Sequence, residues 1–305
     1  MSTFIGELAK KLAEKWMTLL VLPGLLLLAT AACGYLLRNR RWNDLTALTS
    51  LLSDRTQTVA GRGNVTVALA VAAVLLAAAA AGFAANGTGW AISHIWLSHR
   101  LTWLGKPLTW WRRQRWIAAE QAALGTTASP TAPASVMRLL YRWNQVLPND
   151  PAVRRNRICL APPQRPTWIG DRVAATGTRV ENQYGLDLAS TWPRLWPLLP
   201  DAIRTDITTA RAAFDQTTTL GGWAVLYTVV GAWTGWWPAV AVGIGTFVAA
   251  WYRARSAIAD LTDLVESAID LYATTLADAL GIPTIDGHVH RHTGRQITAR
   301  IRKGT

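Results

Sequence analysis

Long apolar runs free of charged residues alternate with charged segments along this chain. The runs cover residues 17–37, 65–85 and 220–252. A helix needs about 20 apolar residues to cross the hydrocarbon core of a bilayer. The first two runs have that length. The third is too long for one crossing and is interrupted at 235–238 by Gly-Trp-Trp-Pro, which favours a turn. The pattern predicts four membrane-spanning helices arranged as two hairpins.

Helical periodicity extends beyond the third run on both sides. Before it, apolar residues recur at the spacing of one helix face at Ile203, Ile207, Ala210 and Phe214. After it, a similar stripe continues until Gly281-Ile282-Pro283, a helix-stop signal. We expect two rods of about 50 and 65 Å at 1.5 Å per residue, folded back on each other and containing spans near 217–234 and 238–252.

A hairpin that turns at 235–238 brings positions equally distant from the turn close together. Arg211 is then opposite Asp260, and Arg204 is near Glu266 or Asp270. Small residues within the spans form close-packing patterns, namely Gly231-x-x-x-Gly235 and Ala241-x-x-x-Gly245-x-x-x-Ala249. These patterns predict helix–helix contacts, either within one chain or between subunits of an oligomer.

Tryptophan and basic residues alternate after Asn86-Gly87-Thr88-Gly89, which we expect to end the second span. The tryptophans are Trp90, Trp96, Trp103, Trp110, Trp111 and Trp116, and the basic residues are Arg100, Lys106, Arg112, Arg113 and Arg115. Trp is favoured at headgroup depth, and cations are attracted to anionic lipid. The pattern predicts an interfacial helix on the inner leaflet, with a nucleic-acid patch or a folded-domain face as alternatives.

Two further groups extend this predicted contact with the membrane. Trp236 and Trp237 lie in the predicted turn of the second hairpin and are expected to act as interfacial anchors. A proline-containing region holds Arg154, Arg155 and Arg157. These three could contact the phosphate of lipid or nucleic acid, although a solvated charge run is the alternative.

The sequence divides into five parts on these patterns. They are a cytoplasmic amphipathic lead-in (1–16), a first transmembrane hairpin (17–85), a cytoplasmic Trp/Arg-rich interfacial and Pro-rich segment (86–200), a long helical hairpin (201–281) and a basic His-containing tail (282–305). The fold class that they predict is an all-α integral membrane protein, in which long cytoplasmic helices extend the second hairpin.

Charge sets the predicted orientation of the chain. Half of the 305 residues are hydrophobic, and the net charge is +13. Of the 31 Lys and Arg residues, five lie in the loop 38–64 and none in the turn 234–238. Cytoplasmic segments carry the excess of Lys and Arg, so both termini are predicted to be cytoplasmic. Cys33 and Cys159 are far apart, which suits a chain without a disulfide in a reducing compartment.

Candidate chemistry is sparse. The runs hold no Asp, Glu, Lys, Arg or His, which disfavours ion-coupled transport, and no nucleotide-binding or nucleophile motif occurs. We therefore predict no enzyme activity and no cofactor. His288, His290 and His292 share one face if they lie on a strand, and could then bind Zn²⁺. The surrounding basic tail disfavours a cation, so we predict a solvated tail and no metal site.

One segment carries a recognisable pattern. It reads Arg165-Pro166-Thr167-x-x-Gly170-Asp171, then Tyr184-Gly185-Leu186-Asp187, then Trp192-Pro193-Arg194-Leu195 and Leu198-Leu199-Pro200. The pattern resembles a segment of uncharacterised multi-spanning bacterial membrane proteins, a group with no known function. Within it, Gly185 suits a helix C-cap and Ser190 an N-cap. The tryptophans suit docking near the membrane, and structural packing is the favoured role of the motif.

These observations converge on a non-enzymatic protein of the bacterial inner membrane. The expected partners are anionic lipids, further copies of the chain, and a cytoplasmic protein that contacts the acidic face of the second rod. The predicted function is an oligomeric pore or a membrane anchor for that partner. The alternative is a membrane component of DNA transfer that binds DNA through the basic cytoplasmic segment.

Overall fold

The computed structural model describes residues 21–37, 49–50, 53, 61, 63–98, 105–127, 151–284 and 286–303. Within these ranges the chain forms helices and no β-strand, so the predicted all-α class is confirmed. The predicted lead-in 1–16, Arg100 and Trp103 lie outside the described residues.

The helices are numbered here in chain order. Their bounds are α1 Leu22–Leu36, α2 Asn64–Leu97, α3 Gly105–Thr127, α4 Pro151–Ile158, α5 Trp168–Tyr184, α6 Leu188–Leu195, α7 Asp201–Thr234, α8 Trp237–Ala279 and α9 Arg291–Ile301, with a 3₁₀ turn at Trp196–Leu198. The chain divides into two compact units. Unit 1 comprises Met1–Ser93 and Asp215–Arg253, and unit 2 comprises His94–Phe214 and Ala254–Thr305.

The two predicted rods are present as α7 and α8. They hold 34 and 43 residues, or about 51 and 65 Å at 1.5 Å per residue. Gly235 separates them with φ 73°, a left-handed conformation that glycine adopts without a steric penalty. Among the described residues, no atom lies within 4 Å of a Cβ built on Gly235. Gly235 is therefore the turn residue, and its predicted helix–helix contact stays a prediction.

Glycines of unit 1 mark where α7 and α8 approach each other. A Cβ on Gly231 would lie 2.7 Å from the backbone nitrogen of Val240, and one on Gly243 would lie 2.8 Å from that of Thr228. Positions equally distant from the turn are therefore paired here, as the sequence predicts. Gly245 has open space around its Cβ position, so the close contact within the chain is made by Gly243 and not by Gly245.

Close contacts also connect α1, α2 and α7 within unit 1. A Cβ on Gly24 would collide with the carbonyl of Ala78, and one on Gly34 would lie 2.8 Å from Cβ of Thr234. A Cβ on Gly222 would collide with the carbonyl of Ala85. Small residues let helix backbones approach in this way, so the helices of unit 1 pack against one another through their glycines.

Helix α2 continues through Asn86-Gly87-Thr88-Gly89, where we predicted a break. The Thr88 hydroxyl donates to the Ala84 carbonyl (2.7 Å), and the Thr219 hydroxyl donates to Asn86 Oδ1 (3.3 Å). A Cβ on Gly89 would lie 2.7 Å from the Thr218 carbonyl oxygen. Gly89 thus serves a close contact with α7, and tertiary packing overrides its weak helix propensity.

By length and composition, α2 is the one helix of the described residues that could cross a membrane, while α1 is apolar but shorter. Segments 217–234 and 238–252 have a lower mean hydropathy than α2, because they contain Gly, Thr, Trp and Pro among their aliphatic residues. The apolar side chains of α2 remain largely exposed, with Val65 at 75%, Leu69 at 66% and Leu76 at 72%.

Unit 2 is built around a continuous apolar core. Its fully buried members include Leu186, Leu195, Ile269, Leu276 and Ile297. Ile297 belongs to α9, which forms within the segment that we predicted to be a solvated tail. That prediction is wrong, because Val289, Ile297 and Ile301 are spaced so that one side of the tail is apolar and is buried in the core.

A matched pair of glycine substitutions tests the close packing of unit 1. Gly222→Ala forces the Ala85 backbone away and should cost about 1–3 kcal/mol through overpacking. It should therefore lower the thermal unfolding midpoint by several degrees. Gly245→Ala, on α8 of the same unit, has no described atom near its Cβ position and should leave the midpoint unchanged or higher, because glycine weakens a helix by up to about 1 kcal/mol. Circular dichroism of the detergent-purified chain measures both, and equal midpoints would contradict the packing described.

Candidate functional site

The densest polar network of the described residues surrounds one buried carboxylate in unit 2. Asp171, in the first turn of α5, is 1% exposed. It accepts hydrogen bonds from the backbone N–H groups of Gln164 (2.8 Å) and Arg165 (2.6 Å). The Arg112 guanidinium on α3 donates to it twice, at 2.7 and 3.2 Å. The network therefore connects α3, the loop before α5 and α5 itself.

Burial dominates the electrostatics of this network. Desolvation raises the pKa of Asp171, while the two N–H donors and Arg112 act in the opposite direction. The neighbouring Cys159 thiol donates to the Asp171 carbonyl (3.8 Å), and desolvation raises its pKa also. A thiol with a raised pKa is a poor nucleophile. The network is thus a structural centre, and Cys159 has no feature of a reactive cysteine.

Side chains of the first part of the sequence motif cap the C-terminal end of α2 and the N-terminal end of α5. Arg165 Nη1 donates to the Leu97 carbonyl (2.7 Å), and the Thr167 hydroxyl donates to the Trp96 carbonyl. The last carbonyls of a helix lack partners within that helix, so both side chains cap α2. Thr167 also accepts from the Gly170 N–H (3.0 Å) as the N-cap of α5. These roles account for Arg165, Thr167 and Gly170 in the motif.

The second part of the motif attaches α9. Gly185 ends α5 with φ 72°, as predicted, and a Cβ there would collide with the Arg291 carbonyl. Asp187 pairs with Arg302 (2.9 Å), and its N–H donates to the Thr298 hydroxyl (3.1 Å). A hydrogen bond from Ser190, followed by Arg302, lowers the pKa of Asp187.

The predicted N-cap at Ser190 is wrong. Asp187 is the N-cap of α6, and Ser190 lies one turn inside the helix with its hydroxyl donating to the Asp187 carbonyl (3.2 Å). The chain can start the helix earlier because Gly185 has already reversed its direction. Trp192 and Trp196, which we expected near the membrane, pack on the core of unit 2 and lie 5.8 Å apart between ring centroids.

Three polar pairs run along the contact between α5 and α8. Arg172 pairs with Asp263, Arg179 with Glu266 (3.2 Å), and the Tyr184 hydroxyl donates to Asp270 (2.7 Å). Both members of each pair ascend in number together, so α5 and α8 run in the same direction. Burial, reinforced by Asp270, raises the pKa of Tyr184 to about 12.

These pairs revise the partners that we predicted for the acidic residues of α8. Arg204 pairs with Asp201 one turn away in its own helix, while Glu266 and Asp270 are bound by α5. The prediction for Arg204 was wrong because it considered only the two rods. Arg172 and Arg179 of α5 pair with Asp263 and Glu266 of α8 instead. The Arg211–Asp260 pair stays a prediction.

A polar cleft of about 420 Å³ opens beside the last two pairs. Its lining includes Arg179, Asn182, Gln183, Tyr184, Glu266 and Asp270. Glu266 Oε1 is buried, and burial raises the pKa of this carboxyl, while Arg179 and a hydrogen bond from Thr176 act in the opposite direction. The cleft is therefore a polar cavity lined by the paired carboxylates of Glu266 and Asp270.

Unit 2 also contains an apolar groove of about 340 Å³. It lies among α5, α6, α7 and α8, and its apolar walls include Leu97, Val173, Trp192, Phe214, Leu261 and Val265. Arg211 also lines it. Neither cavity was predicted, because each combines residues that are distant in the sequence.

The predicted interfacial tryptophans fall into two groups. Trp96 is 6% exposed, and Trp116 Nε1 donates to the Cys159 carbonyl (2.9 Å), so both are part of unit 2. Trp236 is half-buried. The exposed members are Trp90 (65%), Trp110 (63%), Trp111 (50%) and Trp237 (56%), and they remain predicted anchors.

The predicted basic contacts divide in the same way. Arg112 is engaged by Asp171, and Arg155 lies 3.4 Å from Glu120. Arg115 covers the Trp111 ring at 4.6 Å. Lys106, Arg113, Arg115 and Arg157 are exposed, so these four carry the prediction of lipid or phosphate contact. The side chain of Arg154 lies outside the described residues.

The described residues hold no group of three His, Cys, Asp or Glu side chains able to bind a metal ion. His288 and His290 precede α9, and His292 lies within it. The three therefore do not share the face of one strand, which the metal hypothesis required.

Removal of the buried carboxylate tests the central network. Asp171→Ala leaves the Arg112 guanidinium and two N–H groups without their acceptor, and breaking a buried pair costs about 3 kcal/mol or more. Asp263→Ala, the control, removes an acid that is 61% exposed and should cost no more than about 1 kcal/mol. Thermal unfolding of the purified chain should show a much lower midpoint for Asp171→Ala alone, and similar midpoints would contradict the central role of Asp171.

Thiol chemistry gives a second, independent test. In a Cys33→Ser background, iodoacetamide should modify native Cys159 slowly, because the raised pKa leaves little thiolate and burial blocks access. An exposed cysteine introduced by Ala299→Cys should react quickly under the same conditions. The neutral Cys159 thiol contributes its full share to the free energy of unfolding at a pH below the pKa that the thiol has in the unfolded chain. This contribution is lost as the pH rises through the pKa that it has in the folded chain. Mass spectrometry measures both rates, and equal rates would contradict the burial of Cys159.

Comparison of the chain with protein-family models, with curated proteins and with solved structures found no match. A functional assignment therefore depends on the two cavities of unit 2, its central network and the exposed apolar helices of unit 1.

Proposed function

We propose that this chain is a multi-pass protein of the bacterial inner membrane that anchors a folded helical domain, unit 2, on which a cytoplasmic protein partner docks. The observation that carries this proposal is the contrast between the exposed apolar side chains of α2 and the closed core of unit 2. Large contiguous apolar surfaces are costly in water and mark contact with lipid or protein.

The proposed topology has four spans, formed by α1, α2 and the apolar parts of α7 and α8. Segments 217–234 and 238–252 contain no Asp, Glu, Lys, Arg or His, and Gly231 and Gly243 pack the two segments together. In lipid, helices associate through this kind of close backbone contact. The resemblance of 165–200 to multi-spanning bacterial membrane proteins is in keeping with this topology.

The packing of unit 1 favours an anchor over a pore. Gly24, Gly34, Gly89 and Gly222 face other helices of the same chain, so these small residues are used within one subunit. An oligomeric pore requires further small or polar faces between subunits. Gly245, which has open space around it, is the position that such an interface would use.

The polar cleft of unit 2 is the surface that we assign to the partner. Glu266 and Asp270 supply carboxylates to its lining. A Lys or Arg side chain of the partner fits this chemistry, because a buried carboxylate gains most from a charge-assisted hydrogen bond. Tyr184, Asn182 and Gln183 would orient the bound group.

The alternative of DNA transfer gains less support. Several arginines that contribute to the net charge of +13 are paired with carboxylates of the same chain, namely Arg112, Arg155, Arg172, Arg179, Arg204 and Arg302. Such arginines stabilise the fold and are less available to phosphate. Salt-dependent DNA binding by the full chain would restore this alternative.

Side-specific labelling tests the proposed membrane topology. Both native cysteines are replaced, and Ser53→Cys or Ala299→Cys is introduced. A membrane-impermeant maleimide should label Ser53→Cys on intact cells and Ala299→Cys only after lysis, because 38–64 is the predicted outer loop and the C-terminus is inside. Labelling of both from the same side, or recovery of the chain without membranes, would contradict the topology.

Conductance separates the anchor from the pore. The purified chain should leave planar bilayers electrically silent, because unit 1 packs its small residues inside one subunit. Discrete conductance steps that change with Gly245→Leu, but not with Arg194→Gln on unit 2, would show an oligomeric pore and overturn the anchor.

A further inference from the structure

The apolar groove of unit 2 combines two kinds of chemistry. Its walls include Val173, Trp192, Phe214, Leu261 and Val265, and among the described residues that line it Arg211 alone is charged. Its volume of about 340 Å³ lies at the lower end of the range of small-molecule sites, about 300–1,000 Å³. An apolar cavity with one cation at its lining suits an amphiphile whose anionic head meets the cation.

The position of the lining residues in the sequence narrows the choice of amphiphile. Leu97 is the last residue of α2. Arg211 and Phe214 on α7 come within two helical turns before the apolar segment 217–234, and Ile258 on α8 follows 238–252 by a similar interval. If 217–234 and 238–252 span the bilayer, as proposed above, Arg211, Phe214 and Ile258 fall near headgroup depth, where cations meet anionic lipid.

We propose that this groove binds one acyl chain of an anionic phospholipid, with the Arg211 guanidinium contacting the headgroup phosphate. Each methylene that leaves water for an apolar site contributes favourably, and a guanidinium forms strong paired hydrogen bonds with phosphate. The groove thus holds a structural lipid at the start of unit 2. This inference rests on the proposed membrane topology.

Three variants separate the parts of the site. Arg211→Gln removes the charge and keeps a hydrogen-bond donor, whereas Ala189→Phe places a bulky ring at an exposed position that lines the groove. Arg194→Gln is the matched control, because Arg194 is an exposed arginine of α6 outside the groove. Circular dichroism and thermal unfolding establish that each variant folds.

The full-length chain is reconstituted in nanodiscs of mixed phosphatidylglycerol and phosphatidylcholine, and native mass spectrometry counts the lipids that it retains on release. One phosphatidylglycerol should be retained by the unmodified chain and by Arg194→Gln. Arg211→Gln should weaken retention about tenfold, equivalent to about 1.4 kcal/mol, and Ala189→Phe should abolish it.

Several outcomes would overturn the proposal. These are equal retention of the two lipids, retention by folded Ala189→Phe, or the same loss in Arg194→Gln as in Arg211→Gln. Retention of a free fatty acid in preference to phosphatidylglycerol would also overturn it, because the site would then recognise a carboxylate. Failure of the topology test with selective, Arg211-dependent retention intact would reject the proposed function and leave the groove as a lipid site. The reverse pattern would reject the groove alone.

Discussion

A carboxylate buried almost completely from water must have its lone pairs satisfied inside the protein, and much of unit 2 is arranged to do this for Asp171. Two backbone N–H groups and Arg112 converge on it. The same loop that supplies the N–H groups carries Arg165 and Thr167, which complete the end of α2. The geometry of one acid therefore fixes the start of α5, the position of α3 and the last turn of a long apolar helix.

Unit 1 obeys a different constraint, which is the absence of side chains at crossing points. Gly24, Gly222, Gly231 and Gly243 bring backbone against backbone or against small side chains. Such contacts depend on shape and not on charge, which suits apolar segments that contain no Asp, Glu, Lys, Arg or His. The chain thus uses polar networks where water competes for hydrogen bonds and close packing where apolar residues dominate.

The sequence was most informative where local chemistry decides the structure. Gly235 and Pro238 placed the turn between α7 and α8, and the stripes on both sides placed their outer ends. It was least informative where a distant contact decides. Gly87 and Gly89 resemble a helix break, yet Gly89 meets α7. The sequence around Arg112 indicates a lipid contact, yet Arg112 pairs with Asp171, 59 positions away. The tail resembles solvated chain, yet its apolar face completes a core formed by other helices. Neither cavity of unit 2 has a signature in any single segment.

The pairs between α5 and α8 have a consequence for how these helices can move. A slide of α5 along α8 by one turn, about 5.4 Å, would bring Arg172 opposite Glu266 and Arg179 opposite Asp270, since both sets of charges recur at about one- or two-turn intervals. Two ion pairs would then form in place of the three polar pairs that are present now. The spacing of the charged residues is therefore compatible with both positions of α5 along α8. The slide would break the hydrogen bond from Tyr184 to Asp270 and would displace Val180 and Ile269, which are buried in the core of unit 2, so these contacts oppose it.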